Sequence, residues 1–189
     1  MSRFLASLTL AGLVWLGAVL QALEADAVRE YQIKAAFLYN VMKFVVWPDS
    51  AMSVGEGPVS VAVLGTNAAS DMETILGARL LKGRRIAVKG YSQAKDLGPC
   101  HVLFVTADAL GEQREALRAV AGHSVLTVTE GPNLGTPAAV ISLAIVETKL
   151  TFHVNLDAAE SHGLQLSSNL LGLAKSRSEE RRVGKECRL

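Results

Sequence analysis

The sequence is poor in cysteine, proline and aromatic residues, and it lacks a strong charge of either sign. Of 189 residues only 2 are Cys and 5 are Pro, aromatic residues make up 5%, and the formal net charge is +1. Two cysteines exclude a disulfide-dense scaffold, and five prolines without a glycine period exclude a collagen-like chain. The near-neutral charge gives no basic face for nucleic acid. A hydrophobic fraction of 50% excludes a disordered chain.

The N-terminal segment has the pattern of a secretory signal. Arg3 is the only charge before Glu24, and the residues between them are almost all apolar. The spacing Ala25-Asp26-Ala27 then fits a small-x-small cleavage site. We therefore expect residues 1–25 to be a signal peptide that is cleaved between residues 22 and 27. The alternative is an uncleaved membrane anchor, because the apolar run is long enough to span a bilayer.

The C-terminal segment differs abruptly in composition from the rest of the chain. The string from Arg177 to Cys187 has no periodicity and resembles the translation of a sequencing adapter. We therefore treat residues 177–189 as non-native, the alternative being a genuine basic tail. The remaining segment, 26–176, is near neutral and suits a single domain. Cys100 is its only cysteine, so it cannot form an intrachain disulfide.

Hydrophobic periodicity divides this segment into helices and strands. The predicted helices are Val28–Trp47, Asn67–Gly77, Ala107–Ala121, a short one from Asp157, and Gln165–Lys175. The predicted strands are Val59–Gly65, Arg84–Gly90, Cys100–Thr106, Val125–Thr129, Ala139–Val146 and Lys149–Asn155. This order indicates crossovers on a mainly parallel sheet. We predict a three-layer α/β fold with helices on both faces. Only Glu147 and Thr148 separate the last two runs, which predicts a C-terminal antiparallel hairpin.

The first predicted helix carries two apolar stripes, which indicates burial on two sides. The first stripe consists of Tyr31, Ala35, Leu38, Met42 and Val45. The second stripe consists of Ile33, Phe37, Val41 and Phe44. A narrow polar edge is left by Glu30, Lys34, Asn40 and Lys43. The second stripe either contacts another protein or is covered by the C-terminal helix.

Motifs for catalysis, cofactors and metals are missing. The sequence has no Gly-x-Ser-x-Gly elbow and no phosphate-binding loop, and Gly65 is a lone glycine where a dinucleotide fingerprint requires several. The four histidines share no ligand spacing. We therefore expect no catalytic residue, cofactor or metal. Since neighbouring strand residues point to opposite faces, we expect Cys100 to be a buried thiol and His101 a surface imidazole.

One cluster of basic residues allows two interpretations. It comprises Arg79, Lys82, Arg84, Arg85 and Lys89. It either binds an anion or acidic partner or protects an edge strand from pairing with another chain. We favour the protected edge strand.

Several segments together resemble a known family. Tyr31-Gln32-Ile33-Lys34-Ala35-Ala36-Phe37-Leu38-Tyr39-Asn40, followed by Phe44-Val45-Val46-Trp47-Pro48, closely resembles the opening of the YfiR-like family of exported bacterial proteins. Further matches are 100–105, 126–129, 152–156 and 163–168, so the resemblance covers the whole predicted domain. Two features depart from it. Thr136-Pro137 stands where the family commonly has Gly-Gly, and only Cys100 matches a family cysteine, so the family's disulfides do not carry over.

The best-known members of that family are periplasmic repressors of a membrane diguanylate cyclase. The resemblance therefore implies a non-enzymatic periplasmic protein that regulates cyclic-di-GMP signalling and biofilm formation. Its partner would be the periplasmic domain of an inner-membrane protein. The resemblance also leaves open whether the protein forms a homodimer. We expect no nucleic-acid partner and no membrane insertion once the signal is cleaved. The candidate contact residues are those of the second stripe, Ile33, Phe37, Val41 and Phe44.

The alternative function is a periplasmic small-molecule sensor that acts with a receptor or histidine kinase. Ligands of parallel α/β sheets bind at the carboxyl ends of the strands. The residues expected there are Gly65, Thr106 and Thr129.

Overall fold

A computed structural model describes residues 30–52, 57–65, 68–131, 136–146 and 149–174. The described residues do not include the predicted signal peptide or the predicted non-native tail. They also do not include Asn67, at the start of the second predicted helix, or Glu147-Thr148, between the last two predicted strands. Among the described residues, no helix is both long enough and apolar enough to cross a bilayer.

The described chain alternates short helices with strands. The helices are α1 (30–43), α2 (Ala68–Leu76), α3 (Gln113–Ala119), α4 (Leu156–Ser161) and α5 (Ser168–Leu173). The first strands are β1 (Val45–Val46), β2 (Val59–Leu64), β3 (Leu80–Leu81), β4 (Arg84–Tyr91) and β5 (Val102–Val105). The later strands are β6 (Leu126–Glu130), β7 (Ile141–Val146), β8 (Lys149–Val154) and β9 (Gln165–Leu166). Two 3₁₀ turns cover Ala94–Asp96 and Ala107–Ala109.

Seven strands form the main sheet, in the order β3-β4-β2-β5-β6-β7-β8. The pairs from β4 through β7 are all parallel, whereas β3 and β8 pair antiparallel with their neighbours. The internal strand β2 is an almost uninterrupted apolar run, which is typical of a strand that is buried on both faces. The predicted mixed α/β class with a mainly parallel sheet is confirmed.

Alternate residues of the strands enter two separate hydrophobic clusters. Val61 and Phe104 belong to the larger cluster, with residues of α1, α2, α4 and α5. Leu64 and Leu103 belong to the smaller cluster, with residues of α3. We call these sides the α1 face and the α3 face. The separation follows from the strand geometry, because successive side chains point to opposite faces.

The first helix is shorter than predicted. It ends at residue 43, and Val45–Val46 form the strand β1, which pairs antiparallel with β9. The two β-branched valines favour extended backbone, and Pro48 disfavours helical backbone at Trp47. The prediction of helix through Trp47 is therefore wrong at its end.

The last predicted helix is also corrected at its start. Gln165–Leu166 form the strand β9, and α5 begins only at Ser168. The Ser167 N–H donates to the carbonyl of Phe44 at 3.0 Å. Pairing with a strand more than a hundred residues away thus overrides the local helical periodicity.

The third predicted helix is interrupted. Its first part is the 3₁₀ turn Ala107–Ala109, and the α-helix starts at Gln113. Gly111 lies between the two parts, and a glycine inside a helix weakens it by about 1 kcal/mol relative to alanine. The break orients α3 separately from the turn that follows β5.

The basic cluster lies along the outer edge of the sheet. Only Arg84 and Arg85 of β4 pair with β3, so the rest of that edge is unpaired within the described part of the chain. Arg84 Nε donates to the carbonyl of Gly57 at 2.9 Å, and Lys89 lies 5.0 Å from the ring centroid of Tyr91. These contacts favour the interpretation as a charged, protected edge strand.

Candidate functional site

The second stripe of α1 is divided by the fold. Ile33 is 60% exposed, whereas Val41 is 1% exposed and lies in the core. Phe37 and Phe44 are half-buried against the larger cluster. The ring centroid of Phe37 lies 4.9 Å from that of Phe152 in β8. Val41 therefore lies in the core, and the accessible part of the stripe consists of Ile33 with the outer sides of Phe37 and Phe44.

A second exposed apolar residue lies on the same face of the sheet as Ile33. Leu143 of β7 is in the cluster that packs against α1, and Ile145 follows it by two residues, so its side chain points to the same face. Ile145 is exposed and pairs with the half-buried Leu150 of β8. Phe37 contacts Phe152, which pairs with Leu143, two residues before Ile145. We give the name α1–β7 apolar surface to Ile33, Phe37, Ile145 and Leu150, which lie on α1 or on the sheet face that α1 covers. It lies beyond the end of the core on the α1 face.

The predicted ligand residues do not point into one pocket. Val105 pairs with Thr129, so Thr106, the next residue after Val105, points to the opposite face from Thr129. Gly65 has φ +132°, and a Cβ there would collide with Thr106 Oγ1. Gly65 and Thr106 therefore meet on one side, and Thr129 lies on the other. The ligand role of the three residues stays a prediction.

Both threonine hydroxyls already have partners in the protein. Thr106 Oγ1 donates to the carbonyl of Leu64 at 2.9 Å and to the carboxylate of Asp108. Thr129 Oγ1 lies 3.5 Å from the hydroxyls of Thr136 and Ser142. These contacts hold the carboxyl edge of the sheet together without a ligand.

A buried ion pair at this edge was missed by the sequence prediction. Lys34, expected on the polar edge of α1, is 1% exposed. Its ammonium pairs with the carboxylates of Glu130, at the end of β6, and Glu30, one turn earlier. The second oxygen of Glu130 accepts a hydrogen bond from the Ala107 N–H at 3.3 Å. The pair thus joins α1, β6 and the turn after β5.

A spacing signal for Lys34 was present in the sequence. Lys34 follows Tyr31 by three residues and precedes Leu38 by four, so it lies on the stripe that forms the core face. Its ammonium lies 4.7 Å from the ring centroid of Tyr31. Burial, reinforced by the nearby carboxylates of Asp108 and Glu30, raises the pKa of the Tyr31 hydroxyl. Tyr31 therefore stays protonated beside the ion pair at neutral pH.

Cys100 and His101 differ from their predicted environments. Both are half-buried, so the thiol is less buried and the imidazole less exposed than expected. Burial raises the pKa of Cys100 to about 11, which keeps the thiol protonated. His101 Nδ1 accepts a hydrogen bond from the Ser60 N–H at 3.0 Å. Burial, with Arg84 nearby, lowers the pKa of His101.

Three or more metal-ligating side chains do not come together anywhere in the described ranges. What the geometry offers instead is an α/β domain with an internal ion pair and an exposed apolar surface at one end of its sheet.

Comparison with known protein families identifies the family to which the chain belongs. The model of the YfiR/HmsC-like family matches residues 31–175. The chain belongs to the YfiR/HmsC-like family. Proteins of this family are regulatory rather than catalytic, and membership indicates a periplasmic role in cyclic-di-GMP signalling.

Among solved structures, the chain is similar to a conserved domain protein from Vibrio cholerae O1 biovar eltor, known from a crystal structure. The sequences are 16% identical and the TM-score is 0.44. The match covers 68% of this chain and 58% of the Vibrio chain.

Proposed function

We propose that this protein represses an inner-membrane signalling protein, a diguanylate cyclase, by binding its periplasmic domain. The observation that carries the proposal is the family match over residues 31–175. The buried, mutually paired charges at the carboxyl edge are consistent with a binding role.

The α1–β7 apolar surface is the proposed contact. Ile33 and Ile145 are both exposed by about half or more of their surface, and exposed apolar patches on soluble proteins mark interaction sites. Phe37 supplies an aromatic side chain between the exposed Ile33 and the core. Interface energy concentrates in a few such anchors, so a small surface suffices to recognise the partner.

Repression would work through a shift of populations. A repressor lowers the activity of a two-state cyclase only by binding its inactive state more tightly than its active state. Moving that equilibrium from mostly active to mostly inactive requires a differential affinity of roughly 10⁴-fold. The buried ion pair of Lys34 would contribute by holding α1, and with it Ile33, in one orientation on the sheet.

The substitution Ile33→Asp tests the proposed surface. It places a charge in the contact but leaves the core intact, because Ile33 is 60% exposed. We expect cellular cyclic-di-GMP to rise to the level of a strain that lacks the protein. The melting temperature of the purified variant should match that of the wild type.

Leu80→Asp is the matched control, because Leu80 is 57% exposed and lies in β3, at the opposite edge of the sheet. This variant should repress normally. Normal repression by Ile33→Asp, or equal derepression by both variants, would contradict the proposed surface.

We also propose that residues 1–25 direct export and are removed between residues 22 and 27, and that residues 177–189 are not native. The first proposal rests on the apolar run and its small-residue end. N-terminal sequencing of the protein from a periplasmic fraction tests it, and a mature protein beginning at Met1 would refute it. Resequencing the gene's 3′ end tests the second, and recovery of the same codons would refute it.

A further inference from the structure

One side of α3 lines a groove of about 500 Å³. Residues of α3 and its flanks form one wall at helical spacing, and the segment from Thr136 to Ala138 forms the other. The helical wall consists of Leu110, Gln113, Arg114, Leu117, Arg118 and Ala121. The volume lies within the roughly 300–1,000 Å³ that is usual for small-molecule sites.

The groove is elongated along the helix. A second cavity, of about 350 Å³, shares Leu117, Ala121, Pro137 and Ala138 with the first and continues to Ser161 in α4. The 7 residues of α3 span roughly 10 Å at about 1.5 Å per residue. The combined groove therefore suits an extended, narrow molecule better than a compact one.

The two walls are joined by a hydrogen bond and differ in polarity along their length. Gln113 Nε2 donates to Thr136 Oγ1 at 3.3 Å, which sets the separation of the walls at one end. Leu110, Leu117 and Pro137 supply apolar surface. The apolar stretch between the walls is thus suited to a hydrocarbon chain, and polar groups lie at both ends of the combined groove.

Near the hydrogen bond between Gln113 and Thr136, the charged side chains that line the groove are positive. Arg114 and Arg118 are exposed, lie one helical turn apart and make no ion pair with any described residue. The carboxylate of Glu112 accepts from the Ala94 N–H at 2.9 Å and so points away from the groove. The far end carries the opposite charge, that of Asp157.

We propose that this groove binds an elongated amphiphilic anion, a medium-chain carboxylate, with its chain along Leu110, Leu117 and Pro137. The head group pairs with Arg114 and Arg118, since two guanidinium groups one turn apart can both reach one carboxylate. Asp157 disfavours a second negative charge, so monocarboxylates bind better than dicarboxylates of equal length. The site is distinct from the α1–β7 apolar surface and does not depend on the proposed repression.

Titration of the purified protein with octanoate, below its critical micelle concentration, tests the proposal directly. Backbone amide chemical shifts should change saturably in α3 and in residues 136–138. Octylammonium and octanol should each bind at least about tenfold more weakly, because charge-assisted pairing is worth about 1.4 kcal/mol or more. Suberate should also bind more weakly than octanoate, because its second carboxylate would lie near Asp157. Absence of saturation, shift changes centred elsewhere, or equal affinity for octylammonium would overturn the proposal.

Two variants separate the two parts of the site. The double variant Arg114→Ala/Arg118→Ala should lose about tenfold in octanoate affinity. Its control, Arg85→Ala/Lys95→Ala, removes the same charge from exposed positions elsewhere and should bind normally. Ala138→Trp should fill the groove from an exposed position and abolish binding without lowering the melting temperature. Unchanged binding in either groove variant would overturn the assignment.

Discussion

The two faces of the sheet are built differently. On the α1 face, large side chains such as Phe104, Met42 and Met72 are fully buried, and the charged groups present are paired. On the α3 face the buried residues are fewer and smaller, and a row of hydroxyls lies beside them. Thr127, Thr129 and Ser142 are buried there and bond to the crossover that leads to β7. Dense packing thus secures one face, and hydrogen bonds to a crossover secure the other.

This contrast assigns different tasks to the two faces. The dense face holds α1 rigidly, which suits a fixed protein-contact surface at Ile33 and Ile145. The face with smaller side chains leaves room along α3, and the groove lies there. Four sets of variants test how the faces and edges of the sheet are stabilised, and the first should change the free energy of unfolding the most.

Truncation of one core residue on each face should reveal the difference in packing. Phe104→Ala on the α1 face should lower the free energy of unfolding by about 4 kcal/mol, because a fully buried ring leaves a cavity. Leu103→Ala on the α3 face should lower it by about 3 kcal/mol, since smaller neighbours can close around the gap. Urea denaturation measures both. A larger loss for Leu103→Ala would reverse the comparison.

Removal of the buried Lys34 ammonium should cause the next largest loss of unfolding free energy. Lys34→Met leaves Glu130 buried without its partner, and we expect a loss of about 3 kcal/mol. The double variant Lys34→Met/Glu130→Gln should regain more than half of it, as a double-mutant cycle would show. Glu30→Gln is the control, because Glu30 is 42% exposed and such pairs contribute under about 1 kcal/mol. Equal losses of unfolding free energy for Lys34→Met and Glu30→Gln would show that the buried pair stabilises the fold no more than the exposed pair does.

Loss of one hydroxyl on the α3 face should have a smaller effect. Thr127 Oγ1 accepts from the Val140 N–H at 2.9 Å, so Thr127→Val leaves a buried donor unpaired and should cost about 1–2 kcal/mol. Thr129→Val removes only longer contacts of 3.5 Å and should cost under about 1 kcal/mol. Chemical denaturation distinguishes the two. If both variants are as stable as the wild type, the hydroxyl row does not secure this face.

The smallest effect concerns pH, at the amino edge of the sheet where His101 meets Ser60. The pKa of His101 in the folded protein lies below its usual value of 6.5. The unfolded chain therefore binds a proton more readily than the folded protein does. The contribution of neutral His101 to the free energy of unfolding is fully present above about pH 6.5, and it is lost as the pH falls through the folded pKa. His101→Asn keeps an acceptor for the Ser60 N–H but does not titrate. Its stability should change less than that of the wild type between pH 7 and about pH 5, and parallel pH profiles would contradict this origin.

The strands were predictable because their signals are local. The run from Val59 to Leu64 is short, β-branched and apolar, and it forms the buried strand β2 as expected. The failures occur where a distant partner competes with local periodicity. Val45 and Val46 leave the helical pattern because β9 pairs with them, and Ser167 follows Phe44 for the same reason.

The candidate contact surface was only half predictable. The stripe that contains Ile33 and Phe37 follows from helical spacing, but the burial of Val41 and the neighbouring position of Ile145 depend on how α1 lies on the sheet. The charge of Lys34 predicts a solvent-exposed side chain, although its helical spacing puts it on the same face of α1 as Leu38. Its partner Glu130 is 96 residues away, and no local pattern identifies such a pair.

Side-chain periodicity acts over a few residues, so the amino-acid sequence was sufficient to predict the α/β class, the positions of most strands along the chain and the core stripe of the first helix. It also carried the family resemblance, which the match over residues 31–175 confirmed. Tertiary structure alone decided which apolar residues remain exposed, how Lys34 is neutralised and where the groove along α3 opens. These depend on contacts between segments that are distant in the chain, and only the packed fold brings those segments together.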